Sequence, residues 1–187
     1  MNIDLSPDQI ARTLYTENEQ SSDQIVRFLH NALKLTPTEI AGPLRDGLDM
    51  DPVGIAGALR DGLDMDPTEI AEALRFGLDM DPDGIAGVIR AEFGTYPVKI
   101  MHILMNVFYY ISPVEMARIL SHDLEVEPDR IVQILQGEFD LSPVEMVEAL
   151  KNGVHLDSEG IVDALRFGLD SNSEDNPVEE SGRASFY

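Results

Sequence analysis

The densest run of potential ligands in the 187-residue sequence is Asp79-Met-Asp81-Pro-Asp83-Gly84. It matches the Asp-x-Asp-x-Asp-Gly opening of an EF-hand calcium loop, where alternate carboxylates face one cation and glycine makes the turn. The twelfth position of such a loop supplies a bidentate Glu, and here it is Arg90. Sister segments carry Val53 and Thr68 where Asp83 stands. Asp81 also precedes a proline at a helix start, where a carboxylate caps free amides. Capping is therefore expected ahead of calcium binding at Asp79, Asp81 and Asp83, and no metal or cofactor is assigned.

The other reactive types are equally repetitive. Arg45, Arg60, Arg75 and Arg90 recur every 15 residues, with Lys151 and Arg166 in the equivalent place later. In a last helical turn such bases offset the helix dipole, which is expected here in preference to an anion-binding stripe. His30, His102, His122 and His155 show no ligand spacing of the His-Glu-x-x-His kind. There is no glycine-rich phosphate loop, no nucleophile elbow and no cysteine. Catalysis needs a singular site and this chain offers copies, so an enzyme is not expected.

Charge narrows the partners. The chain has 35 acids against 13 bases, a net −22, with 3 Lys to 10 Arg. Such a surface repels phosphate backbones and anionic lipid, so direct nucleic-acid and membrane binding are not expected. The longest apolar stretch, residues 100–111, is broken by His102 and Asn106 and is too short to span a bilayer. The start has no basic and apolar signal pattern, and a cytoplasmic location is expected. Residues 37–96 and 113–172 each hold 13 acids and 4 bases, whereas residues 97–112 hold Lys99 alone. A basic protein is the expected partner, met by Asp49, Asp51, Asp64, Asp66, Asp79 and Asp81. Regular carboxylates could also imitate a nucleic acid, as in an inhibitor of a DNA- or RNA-binding complex of the anti-defence type. Scarce lysine fits equally a halophile's structural scaffold whose acidity serves solvation.

The elements that position these residues follow from a 15-residue repeat. Leu48-Asp-Met-Asp-Pro52 recurs unchanged at 63–67 and 78–82. Unit starts fall at Pro7, Ser22, Pro37, Pro52, Pro67, Pro82, Pro97, Pro113, Pro128, Pro143 and Ser158, with a single 16-residue step from Pro97 to Pro113. Each unit reads as one helix of about ten residues. Asp, Ser or Thr caps it, proline occupies the first turn, and Glu39, Glu69, Glu115 and Glu145 complete capping boxes. Met50 with Ile55 and Met65 with Ile70 have staple spacing. Gly47, Gly62, Gly77, Gly153 and Gly168 are expected as left-handed helix ends. One apolar stripe on so short a helix is marginal alone, so units must stack. The predicted fold is all-α, a solenoid of about eleven single-helix repeats paired as 30-residue hairpins. It forms one domain over residues 1–172, followed by a disordered acidic tail over 173–187.

Two departures stand out. Pro43 is expected to kink or shorten its helix. The 16-residue unit lacks a capping glycine and carries Phe108, Tyr109 and Tyr110, with Phe93, Met101 and Met105 nearby. This uncharged cluster packs as core or forms an interface, either with a partner or in a homodimer. The helix starts of the form Leu-x-Met-Asp/Ser-Pro-x-Glu-Ile/Met resemble those of mitochondrial transcription termination factors and TAL-effector repeats. Those repeats are about twice as long and are basic where they bind nucleic acid, so no residue role is carried over.

Overall fold

The computed structural model describes residues 5–170. The segment 173–187, expected to be disordered, lies outside them. The described residues contain eleven helices and no strand: α1 (Pro7–Thr16), α2 (Ser22–Leu33), α3 (Pro37–Leu48), α4 (Pro52–Leu63), α5 (Pro67–Leu78), α6 (Pro82–Phe93), α7 (Pro97–Val107), α8 (Pro113–Arg118), α9 (Pro128–Phe139), α10 (Pro143–Asn152) and α11 (Ser158–Asp170). A π-helical turn, Ile119–Asp123, extends α8. Every helix starts where the repeat frame put it. The helices form two compact units that divide between Ile111 and Ser112.

The starts are fixed locally. Thr36, Asp51, Asp66, Asp81, Ser112 and Ser142 accept hydrogen bonds from amides in the first turn of their helices. The box is reciprocal at Thr36/Glu39, Asp66/Glu69 and Ser142/Glu145. At Ser112 the Glu115 amide donates to the hydroxyl, which is half of the predicted box. Gln9 and Gln24 accept from the amides of Ser6 and Ser21 at 3.1 Å, two contacts that a search for glutamate passes over. Where the third residue is glycine, the methionine before the cap uses the space. The Met50 methyl sits 3.3 Å from where a Gly54 Cβ would be, and that of Met80 lies 3.0 Å from the Gly84 position. Carboxylate boxes and methionine covers thus alternate along α3 to α6.

The helix ends differ from expectation. Gly47, Gly62, Gly77 and Gly168 lie inside their helices, Gly153 follows α10 with a φ of -92°, and most helices run for 12 residues. The left-handed residue comes two positions later. It recurs at Glu19, Lys34, Asp49, Asp64, Asp79 and Gly94, then at Glu125, Asp140 and His155, each with φ between 47° and 64°. The next amide donates six residues back, as from Met50 to Leu44 and from Met80 to Leu74, closing a Schellman end without glycine. The 16-residue unit lacks such a residue, and α7 ends on an extended Phe108. Pro43 does not shorten α3, which keeps its 12 residues.

What the internal glycines do is tertiary. Within the first unit α1 packs on α3, α3 on α5 and α5 on α7, while α2 packs on α4 and α4 on α6. Within the second, α8 packs on α10 and α9 on α11. Each helix therefore meets chiefly the one two places along, so the packing period is 30 residues. A Cβ on Gly47 would lie 2.5 Å from the Asp8 carbonyl oxygen, and one on Gly77 would overlap that of Thr38. Gly62 faces Val26 and Asp23, Gly153 faces Val114, and Gly168 faces Asp129. Each glycine admits the first turn of the helix two places back.

The core repeats with the chain. Ile25, Ile40, Ile55, Ile70, Ile85 and Ile100, and four residues on Leu29, Leu44, Leu59, Leu74, Ile89 and Leu104, are all fully buried. Burying such a side chain contributes about 1.5–3 kcal/mol. Two per helix is what stabilises helices too short to persist alone. No polar or charged residue is buried among those described.

Candidate functional site

The six aspartates expected to meet a partner fall into two kinds. Asp51, Asp66 and Asp81 are caps: Asp51 Oδ1 accepts from the Gly54 amide at 2.7 Å, Asp66 Oδ1 from Thr68 and Glu69 at 2.8 and 3.0 Å, and Asp81 Oδ1 from Gly84 at 2.9 Å. Asp49, Asp64 and Asp79 hold the left-handed positions. All six are exposed. No base among the described residues pairs with Asp49, Asp64 or Asp79. Among the described residues no group of three or more His, Asp or Glu side chains is arranged to hold a metal ion, the trio Asp79, Asp81 and Asp83 included.

The bases are engaged close to home. Arg45 pairs with Asp46 at 2.7 Å, and Arg60 with Asp61 at 2.9 Å and also with Glu92. Both pair with the next residue in the helix rather than with the loop aspartates Asp49 and Asp64. The hydrogen bond between Arg45 and Asp46 raises the guanidinium pKa and lowers that of the carboxyl. Arg12 donates to the carbonyls of Gly47 and Asp46, and Arg27 to those of Gly62 and Asp61. These two tie the open end of a helix to the helix two places back. Sequence reasoning missed this role, because 12 and 27 lie outside the recurring arginine ladder.

Two of the capping-box carboxylates, Glu39 and Glu145, have lowered pKa values. Glu39 is held down chiefly by the Thr36 amide and then by its hydroxyl, and Glu145 chiefly by the Ser142 hydroxyl and then by its amide. Asp23 is held down first by Ser21 and also by Arg27, whose Nη1 lies 3.0 Å away. These acids stay ionised and serve structure. Of the four histidines, the structure brings together His122 and His155 in the second unit, ring centroids 5.9 Å apart.

The aromatic cluster divides. Met101 is buried, whereas Tyr109 is fully exposed and Tyr110 is 74% exposed. Phe108 is half-buried and lies against Arg75, whose guanidinium carbon is 4.4 Å from that ring's centroid and 4.7 Å from Phe76's. Arg75 also donates to the Val107 carbonyl. Phe76 is 63% exposed. The signal for Phe76 was legible, because the same repeat position holds Asp46 and Asp61, each paired with the preceding arginine.

Comparison with family models, with curated proteins and with solved structures gives no match. Among the described residues no helix is long and apolar enough to cross a membrane.

Proposed function

We propose that this chain is a non-enzymatic helical-repeat module that presents an acidic surface to a basic protein partner. The observation that carries the reading is the row of left-handed aspartates, Asp49, Asp64 and Asp79, exposed between helices at the repeat period and neutralised by no base. A repeat array makes such a surface from copies of one local motif. Opposite charge accelerates encounter with a basic protein and makes it salt-sensitive. The reading assigns no catalytic step, because the carboxylates near the helix starts recur with capping duties. Nucleic-acid mimicry is its sharper form, with periodic carboxylates standing in for phosphates.

The test is recovery of native partners at low and high salt, followed by competition with duplex DNA. Basic partners lost at high salt support the proposal, and displacement of DNA from them supports mimicry. Neutral or acidic partners, or binding indifferent to salt, overturn it and return the acidity to a solvation role.

A further inference from the structure

Phe76 is a residue the repeat itself does not require, although Phe167 recurs at the equivalent place beside Arg166 in α11. Sister helices place Asp46 and Asp61 at this position, where they pair with the preceding arginine and face water. Here the aromatic ring is 63% exposed on a protein of net charge −22. Its neighbours are arranged around it. Arg75 lies within cation–π distance of both Phe76 and Phe108 and donates to the Val107 carbonyl, which holds the two rings at one groove. The groove has a volume of about 480 Å³ and is lined also by Met80 and by the exposed Asp79 and Asp81. The exposed Tyr109 and Tyr110 follow Phe108 directly in the chain.

We propose that this groove is a docking socket for a basic protein segment carrying one apolar anchor. The anchor would rest on Phe76, Phe108 and Met80, and flanking Arg or Lys side chains would meet Asp79 and Asp81. Charge complementarity selects this occupant. The surrounding residues 37–96 hold 13 acids to 4 bases, so a cationic segment is attracted, while a second copy of a −22 chain is repelled. The inference rests on the acidic-surface reading and adds to it a place and an apolar requirement, since buried aromatic contacts give anchors their energy.

The test uses two labelled Arg/Lys peptides that differ at one central position, Trp or Ser, with the full chain. The protein has no Trp, so the peptide's indole is the sole reporter of its own burial. At low salt the wild type is expected to bind the Trp peptide about tenfold more tightly than the Ser peptide, with a blue shift of the indole emission. Phe76→Asp restores the residue of the sister repeats beside an arginine and should fold as they do. It should keep the Ser-peptide affinity and lose both the preference and the blue shift, and Phe108→Ala should lose them too. Equal binding of the two peptides by the wild type, or a preference that survives Phe76→Asp, overturns the socket and leaves the acidic-surface reading intact. Failure of both peptides to bind at low salt overturns both. A wild-type dimer in light scattering that Phe76→Asp dissociates would assign the groove to a second copy and overturn the choice of partner.

Discussion

Gly77 is a position where adding one methyl group should destabilise the fold. A Cβ there would overlap the Thr38 carbonyl oxygen and lie 3.0 Å from the Ala41 Cβ. To reach ordinary contact distance α5 must move away from α3 by roughly 1 Å, and interiors at crystal-like density resist that. Overpacking of this kind costs about 1–3 kcal/mol. The gain in helix propensity of Ala over Gly, up to about 1 kcal/mol, offsets part of it. Gly77→Ala should therefore destabilise by about 1–2 kcal/mol, lowering the thermal midpoint by roughly 2–8 °C for a chain of this size. Gly87 supplies the control, because a Cβ there meets nothing within 4 Å. Gly87→Ala keeps only the propensity gain and should raise the midpoint by about 1–4 °C. Gly42 is equally open but precedes Pro43, where a Cβ disfavours helical backbone, so it is the poorer control. Thermal melts followed by circular dichroism read both signs. Adding Ala41→Gly to Gly77→Ala should recover only part of the loss, since the backbone contact remains. If Gly77→Ala is neutral or stabilising, the close approach of helices two places apart is wrong.

Other consequences are smaller and equally checkable. Lys34 sits at φ 61°, so Lys34→Gly should stabilise by about 0.5–1 kcal/mol as backbone strain is relieved, and a lower urea midpoint would refute the left-handed assignment. Because the Thr36 amide and hydroxyl lower the pKa of Glu39 beneath its ordinary 4.5, the stability this group contributes is present above that value and is lost as pH falls through the lower folded value. Carboxyl NMR should show Glu39 titrating below 4.5, and Thr36→Val should move it upward; an unchanged titration would refute the box. Arg12→Ala should lower the thermal midpoint by removing the donor to the Gly47 and Asp46 carbonyls, whereas Arg45→Ala, which breaks only an exposed pair with its neighbour, should barely move it; equal losses would refute the difference in role.

How much of this was legible in the sequence depends on the range of the interaction. Helix starts are local events: a cap, a proline and a third-position acceptor lie within four residues, and each start falls where the spacing placed it. The buried Ile and Leu pairs also follow from helical spacing on a repeated unit. Helix ends were misread because glycine has two uses that look alike in a string. A left-handed turn and a close helix contact both favour the smallest residue, and Gly47, Gly62 and Gly77 serve the second. The turn falls instead to Lys34, Asp49, Asp64 and Asp79, residues whose types do not announce it.

On the candidate site, the sequence supplied the acidic balance, the recurring aspartates and the uncharged aromatic unit, since composition and period are properties of the string. It also marked the aspartates before the prolines as caps, but it could not show that the aspartates two residues earlier meet no base. Asp51, Asp66 and Asp81 spend hydrogen-bonding capacity on amides of their own helices, while Asp49, Asp64 and Asp79 spend none. Nor could it divide the aromatic unit into the buried Met101 and the exposed Tyr109 and Tyr110, or bring Phe108 to Arg75 and Phe76 from more than thirty residues away. The sequence by itself determined the helices, their starts and their charge, because those depend on neighbours along the chain. Tertiary structure alone decided that each helix packs chiefly on the one two places along, the purpose of the glycines and the aromatic groove, because each depends on which backbone passes within a few ångströms of another.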